Sequence, residues 1–131
     1  SAQTLSKTGE FSISSPLYDG IYVAGQALPI TYLVLDSDAK LNIYLVPSSG
    51  INASGIQVVQ NADVSSTAGA VQTINGKSYW QHTYDFGIPP TVTPGAWNLV
   101  FESVNMYVNT SIPVDIRPFV NTTTASPSAS A

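Results

Sequence analysis

The chain has 131 residues, 44% of them hydrophobic and only 9% charged, with nine Gly, nine Pro, seven Tyr and no Cys. A charged fraction so far below the roughly 25% of ordinary soluble domains argues against a helix bundle, whose surface needs Lys, Glu and Arg. Eight acidic against four basic residues leave a net charge of −4, which opposes a phosphate-tracking surface and sets nucleic acid aside as a partner; the missing cysteines exclude thiol catalysis, thiolate metal sites and iron–sulfur clusters.

A chain of this length supports one domain and a core that needs no disulfide. No apolar run approaches the roughly 18 uninterrupted residues of a membrane-spanning helix. The amino end has no basic-then-apolar signal segment, so the chain is expected to be a mature or trimmed form.

Residues 1–9 are polar and are expected to be a flexible N-terminal segment. Apolar residues then alternate with period two between Pro and Gly punctuation, the pattern of half-buried strands joined by tight turns. The first predicted strand covers residues 10–14, with Phe11 and Ile13 on one face, and stops at Ser15-Pro16. Residues 21–24 form a short extended piece after the Asp19-Gly20 turn signal. Residues 28–35 place Ile30, Tyr32 and Val34 on one side, and residues 40–46 alternate Leu41, Ile43 and Leu45 with Asn42 and Tyr44. Between these two strands, Asp36 and Asp38 read as a polar turn whose charge Lys40 offsets; the D-x-D spacing also suits a weak calcium ligand pair or paired carboxylates. Residues 56–60 form a shorter strand near an edge.

Asn75-Gly76 is the dipeptide that most readily takes the positive φ angles of a two-residue hairpin, and it joins predicted strands 71–74 and 78–86. Residues 87–95 contain three Pro and cannot hold a regular ladder, so they are read as a loop crossing between sheets. Residues 96–104 bury Trp97, Leu99 and Phe101, and residues 108–116 align Val108, Ile112, Val114 and Ile116. Glu102 and Arg117 fall on the outward faces of these last two strands, positioned as a possible cross-strand pair. The expected fold is an all-β immunoglobulin- or fibronectin-III-like β-sandwich of seven to nine strands over residues 10–119. Residues 120–131, ending NTTTASPSASA, have the Ser/Thr/Pro/Ala-rich composition of a disordered stalk, either O-glycosylated or unmodified.

Three sequons occur, at Asn52, Asn109 and Asn121. Asn52 falls in a loop and Asn121 in the tail, both suited to a bulky glycan; Asn109 falls at the start of the last strand, where occupancy is open. Together with the stalk they favour a eukaryotic secretory origin. Catalytic candidates are few. His82 is the single His and shares a strand face with Trp80 and Tyr84, a stripe that either stacks on a sugar or belongs to the sheet surface or core. No G-x-S-x-G elbow surrounds any Ser, so a Ser–His–acid triad has no support. Copper chelation by an amino-terminal His fails with Ser1 as terminus and one His in all, and blue copper fails without Cys. No catalytic residue, metal or cofactor is expected. The candidate ligand-binding residues are Tyr18 and Tyr22 around a turn, Tyr44 opposite the core of its strand, and Tyr79, Trp80 and His82. Flat aromatic faces stack on pyranose rings, although Tyr is also simply a good strand former.

Four segments carry a family likeness: Ile13-Ser14-Ser15-Pro16; Val23-Ala24-Gly25 leading into Leu28-Pro29-Ile30-Thr31-Tyr32; Leu41-Asn42-Ile43-Tyr44-Leu45; and Pro94-Gly95-Ala96-Trp97-Asn98-Leu99. In this order they resemble the immunoglobulin-like domain of Ser/Thr-rich, lipid-anchored fungal cell-wall proteins, the family of the yeast killer-toxin-resistance factors needed for β-1,6-glucan. Tyr32 stands where that family often has Trp, and the Pro-rich loop is longer. The resemblance implies a non-enzymatic, extracellular wall or surface domain, GPI-anchored in its full-length form. Its expected partners are wall polysaccharide, β-glucan or chitin, or wall proteins; the net charge of −4 and the lack of a long apolar patch in the pattern fit a monomer. A carbohydrate-binding module and a protein-binding adhesion domain are the alternatives.

Overall fold

The computed structural model describes residues 4–5, 11–34, 40–64, 71–74, 76–104 and 107–120. Its strands are β1 (Thr4–Leu5), β2 (Phe11–Ser15), β3 (Gly20–Val23), β4 (Ala27–Val34), β5 (Leu41–Pro47), β6 (Ile56–Val59), β7 (Val71–Ile74), β8 (Lys77–Gly87), β9 (Gly95–Ser103) and β10 (Val108–Arg117). They form two five-stranded sheets, ordered β1-β2-β4-β8-β7 and β3-β10-β9-β5-β6. Nine strands have four or more residues, as expected for the sandwich; the two-residue β1, paired to Ser12 and Ile13, arises within the polar N-terminal segment, where no strand was predicted.

The connectivity is that of an immunoglobulin-type sandwich. The chain leaves the first sheet after β2, turns through Leu17 to Asp19, and enters the second sheet as β3, parallel to β10 from Val114 to Arg117. Asp19 adopts φ of 60° in that turn, and its N–H donates to the Pro113 carbonyl at 2.8 Å. The predicted hairpin forms between β7 and β8, with Gly76 at φ of 80°; Asn75 lies outside the described residues. The Pro-rich segment crosses from β8 in one sheet to β9 in the other. Ile88 is buried within it, its N–H donating to the Gln26 carbonyl while its own carbonyl accepts from Gly25 N–H.

Strand alternation builds the core. Phe11, Ile13, Leu28, Ile30, Tyr32 and Val34 of the first sheet meet Leu41, Ile43, Leu45, Trp97, Leu99, Phe101, Ile112, Val114 and Ile116 of the second, all buried. In antibody domains a disulfide joins the strands corresponding to β4 and β9. Here Tyr32 meets Phe101 edge-on with ring centroids 6.4 Å apart, and Phe11 lies 5.9 Å from the same ring. The aromatic contacts tie the sheets by burial and quadrupole geometry in a chain without Cys. Trp97 is fully enclosed, its indole N–H donating to the Thr93 carbonyl at 2.8 Å.

The polar turn at Asp36 and Asp38, and the stalk from Asn121 with its sequon, lie outside the described residues.

Candidate functional site

The six candidate binding residues do not converge on one platform. Tyr18, 58% exposed, sits in the β2–β3 turn, and its hydroxyl donates to the Ser111 carbonyl at 3.5 Å. Tyr22 follows on β3 but is half-buried against the core, and burial raises its phenol pKa. Tyr79 projects from the outward side of β8, opposite Gln72, yet is buried.

By register the stripe on β8 lies on the inward side of its sheet, with Trp80 half-buried and Tyr84 still 39% exposed. Trp80 pairs with Val34, His82 with Tyr32 and Tyr84 with Ile30, and all three β4 partners are core residues. The His82 side chain is only 9% exposed; its ring lies 5.6 Å from that of Tyr32, and its Nδ1 is 3.5 Å from an Asp63 carboxylate oxygen. Tyr32 reaches the same loop by donating its hydroxyl to the Asp63 carbonyl at 2.8 Å. The single imidazole is therefore part of the packing that holds the loop after β6 to the first sheet. Sequence reasoning missed Asp63, because nothing local marks a loop residue 31 positions from Tyr32 as its partner.

Tyr44 is different. Alternation on β5 buries Leu41, Ile43 and Leu45 and turns Asn42, Tyr44 and Val46 to the outer face of the second sheet. On β9 the same rule buries Trp97, Leu99 and Phe101 and turns out Asn98, Val100 and Glu102. Register then sets rows across three strands: Asn109, Glu102 and Asn42 in one, Ser111, Val100 and Tyr44 in the next. Glu102 Oε1 accepts from Asn42 Nδ2 at 3.1 Å and from the Tyr44 hydroxyl at 3.3 Å. Because Glu102 is diagonal to Tyr44, that bond leans the phenol over the sheet. Asn42 is fixed in turn, its Oδ1 accepting from Asn61 N–H at 2.8 Å, and Asn98 donates to Ser48 Oγ at 3.2 Å. Desolvation first, then the Glu102 carboxylate, raises the Tyr44 phenol pKa.

This arrangement corrects the expected cross-strand pair. Glu102 bonds Asn42 and Tyr44, whereas Arg117 lies toward the other end of β10 and pairs with Asp115 on its own strand at 3.1 Å. Both are outward, as read, but the register separates them. Of the sequons, Asn52 is exposed in the loop after β5 and Asn109 is exposed on β10.

Among the described residues there is no enclosed pocket and no group of three or more His, Asp or Glu side chains placed to hold a metal ion. The candidate site is a half-buried patch on the outer sheet face with a phenol, neutral amides and one carboxylate, groups suited chemically to hydrogen bonding and ring stacking. No protein-family model matches the chain, and no curated protein matches it.

Proposed function

We propose that this chain is a non-enzymatic, secreted surface domain of the fungal cell wall that contacts wall polysaccharide, β-glucan or chitin, through the outer face of β5, β9 and β10. The observation that carries this reading is the Asn42–Tyr44–Glu102 cluster. It sets a phenol ring on the outer face of the sheet with an amide and a carboxylate beside it, the combination that grips a sugar ring by its C–H face and its hydroxyls. The Ser/Thr/Pro-rich tail, the sequons and the resemblance to Ser/Thr-rich wall proteins support the wall setting and a lipid-anchored full-length form.

Retention on insoluble β-1,3-glucan, β-1,6-glucan, chitin and cellulose tests it. Saturable retention on one polymer is expected, with several-fold loss in Tyr44→Ala and a stability change of about 1 kcal/mol or less. Retention unchanged by Tyr44→Ala overturns the assignment of the face, and retention on none overturns the polysaccharide reading.

A second reading rests on the β2–β3 corner, where Leu17, Tyr18 and Ile21 are 48%, 58% and 61% exposed. Exposed apolar side chains so close together suit contact with a wall or adhesion protein. Binding that survives Tyr44→Ala and is lost in Tyr18→Ala favours it.

A further inference from the structure

Asn109 is the second residue of β10, and its position there ties a modification site to the candidate face. Thr110, next in the chain, is buried toward the core, while Asn109 and Ser111 on either side are exposed on the outer face. The sequon thus presents both its amide and its hydroxyl residue outward. Among the described residues β3 pairs with β10 only from Val114 onward, so Asn109 stands exposed at the margin of the sheet, ahead of the Tyr18 hydroxyl at Ser111. Across the sheet, Asn109 is in register with Glu102, and Glu102 with Asn42. Strands are about 4.8 Å apart, which places Glu102 about 5 Å and Asn42 about 10 Å from Asn109.

We infer that Asn109 is an N-glycosylation site that regulates this face: the first two N-acetylglucosamine residues of its glycan lie along the row Asn109–Glu102–Asn42 and cover Tyr44, so that only molecules without the glycan bind external polysaccharide there. This rests on the secretory setting proposed above. The donor is a lipid-linked oligosaccharide diphosphate acted on by a secretory-pathway transferase. The Asn109 amide nitrogen bonds to C1 of the first sugar, the C1–oxygen bond to the diphosphate breaks, the amide loses one proton to the transferase, and the lipid diphosphate leaves. One sugar then reaches Glu102, whose carboxylate accepts from ring hydroxyls. The next reaches Asn42 and the leaning ring of Tyr44, the same chemistry that an external glucan or chitin chain would use.

The test is secretion of the full chain from a eukaryotic host, followed by peptide mass mapping and tyrosine nitration of the folded protein before and after peptide-N-glycosidase. Expected are a glycan on Asn109 and a several-fold rise in Tyr44 nitration when it is removed, with Tyr84 on the first sheet unchanged as a control. Asn109→Gln and Ser111→Ala should both match the deglycosylated protein; enzymatic removal from folded protein covers the case in which either variant fails to fold. An unmodified Asn109, or Tyr44 nitration indifferent to the glycan, overturns the inference. Polysaccharide retention is measured on the same samples. Tyr44 protection by the glycan with no retention in any form leaves the glycan assignment standing and overturns the polysaccharide reading instead.

Discussion

Tyr32 and Tyr44 use the same side chain for opposite ends, and their surroundings decide which. Tyr32 is 2% exposed, packed between a tilted His82 ring and the edge-on Phe101 ring, with its hydroxyl donated to the Asp63 carbonyl. Burial first, then the Asp63 carboxylate, holds its pKa well above the ordinary 10.0. The neutral phenol is the folded form, so its contribution is present in full below the unfolded value and is lost as pH rises through it, because the unfolded chain then releases the proton first. Tyr32→Phe is expected to cost about 1 kcal/mol at neutral pH through the lost hydrogen bond. It should also flatten the fall in stability above pH 10, as urea melts across that range would show; an equally steep fall would mean that Tyr32 ionises freely in the fold. Gly25 is a second decisive residue. It adopts φ of 86°, and a Cβ there would lie 2.6 Å from the Phe119 ring. Gly25→Ala is expected to destabilise by roughly 1–3 kcal/mol, seen as a lower Tm.

At the scale of the element, period-two alternation was the strongest signal in the chain. It located every strand from β2 to β10 to within a residue or so at most ends, because each has one face that must be buried. The Pro-rich segment was legible as a crossing for a related reason, since three missing or constrained donors forbid a ladder. Periodicity does not say which of two faces is the inner one when both carry aromatics. On β8, Tyr79 and Trp80 alternate on opposite sides, and only the register against β4 shows that Trp80 and His82 face inward. Leu33 shows the same limit: it is 1% exposed although its register with Ser12 and Gln81 puts it on the outward side. His82→Ala is therefore expected to act on stability, by about 2 kcal/mol through the space left beside Tyr32. Calorimetry against a polysaccharide-binding assay separates the two roles; a variant with unchanged Tm and lost binding would return His82 to the surface. Among the described residues β3 covers only the second half of β10, and the rest of that strand is protected against edge pairing. Pro113 has no N–H, its carbonyl is taken by Asp19, and the Ser111 carbonyl is taken by Tyr18.

The whole molecule is a sandwich whose two sheets are held by aromatic contact where related architectures use a disulfide, and the candidate site follows from how those sheets are assembled. Tyr44 was legible in the sequence as outward-facing, because Asn42, Tyr44 and Val46 alternate with three core residues. Its partner Glu102 was not, because the pairing of β5 with β9 joins segments some 58 residues apart, and the intervening loops and strands carry no local mark of that register. The same distance explains why Glu102 was paired with Arg117 on sequence alone. Once the sheet forms, an amide, a phenol and a carboxylate from two distant segments become one surface, with the Asn109 sequon at its margin. The most direct measurement is titration of isotope-labelled, glycan-free protein with soluble β-1,3-glucan, β-1,6-glucan and chitin oligosaccharides, followed by amide chemical shifts. Saturable shifts centred on Asn42, Tyr44, Val100 and Glu102 are expected with one of the three. Shifts confined to Leu17–Ile21 of the β2–β3 corner, or none with any oligosaccharide, would contradict the assignment.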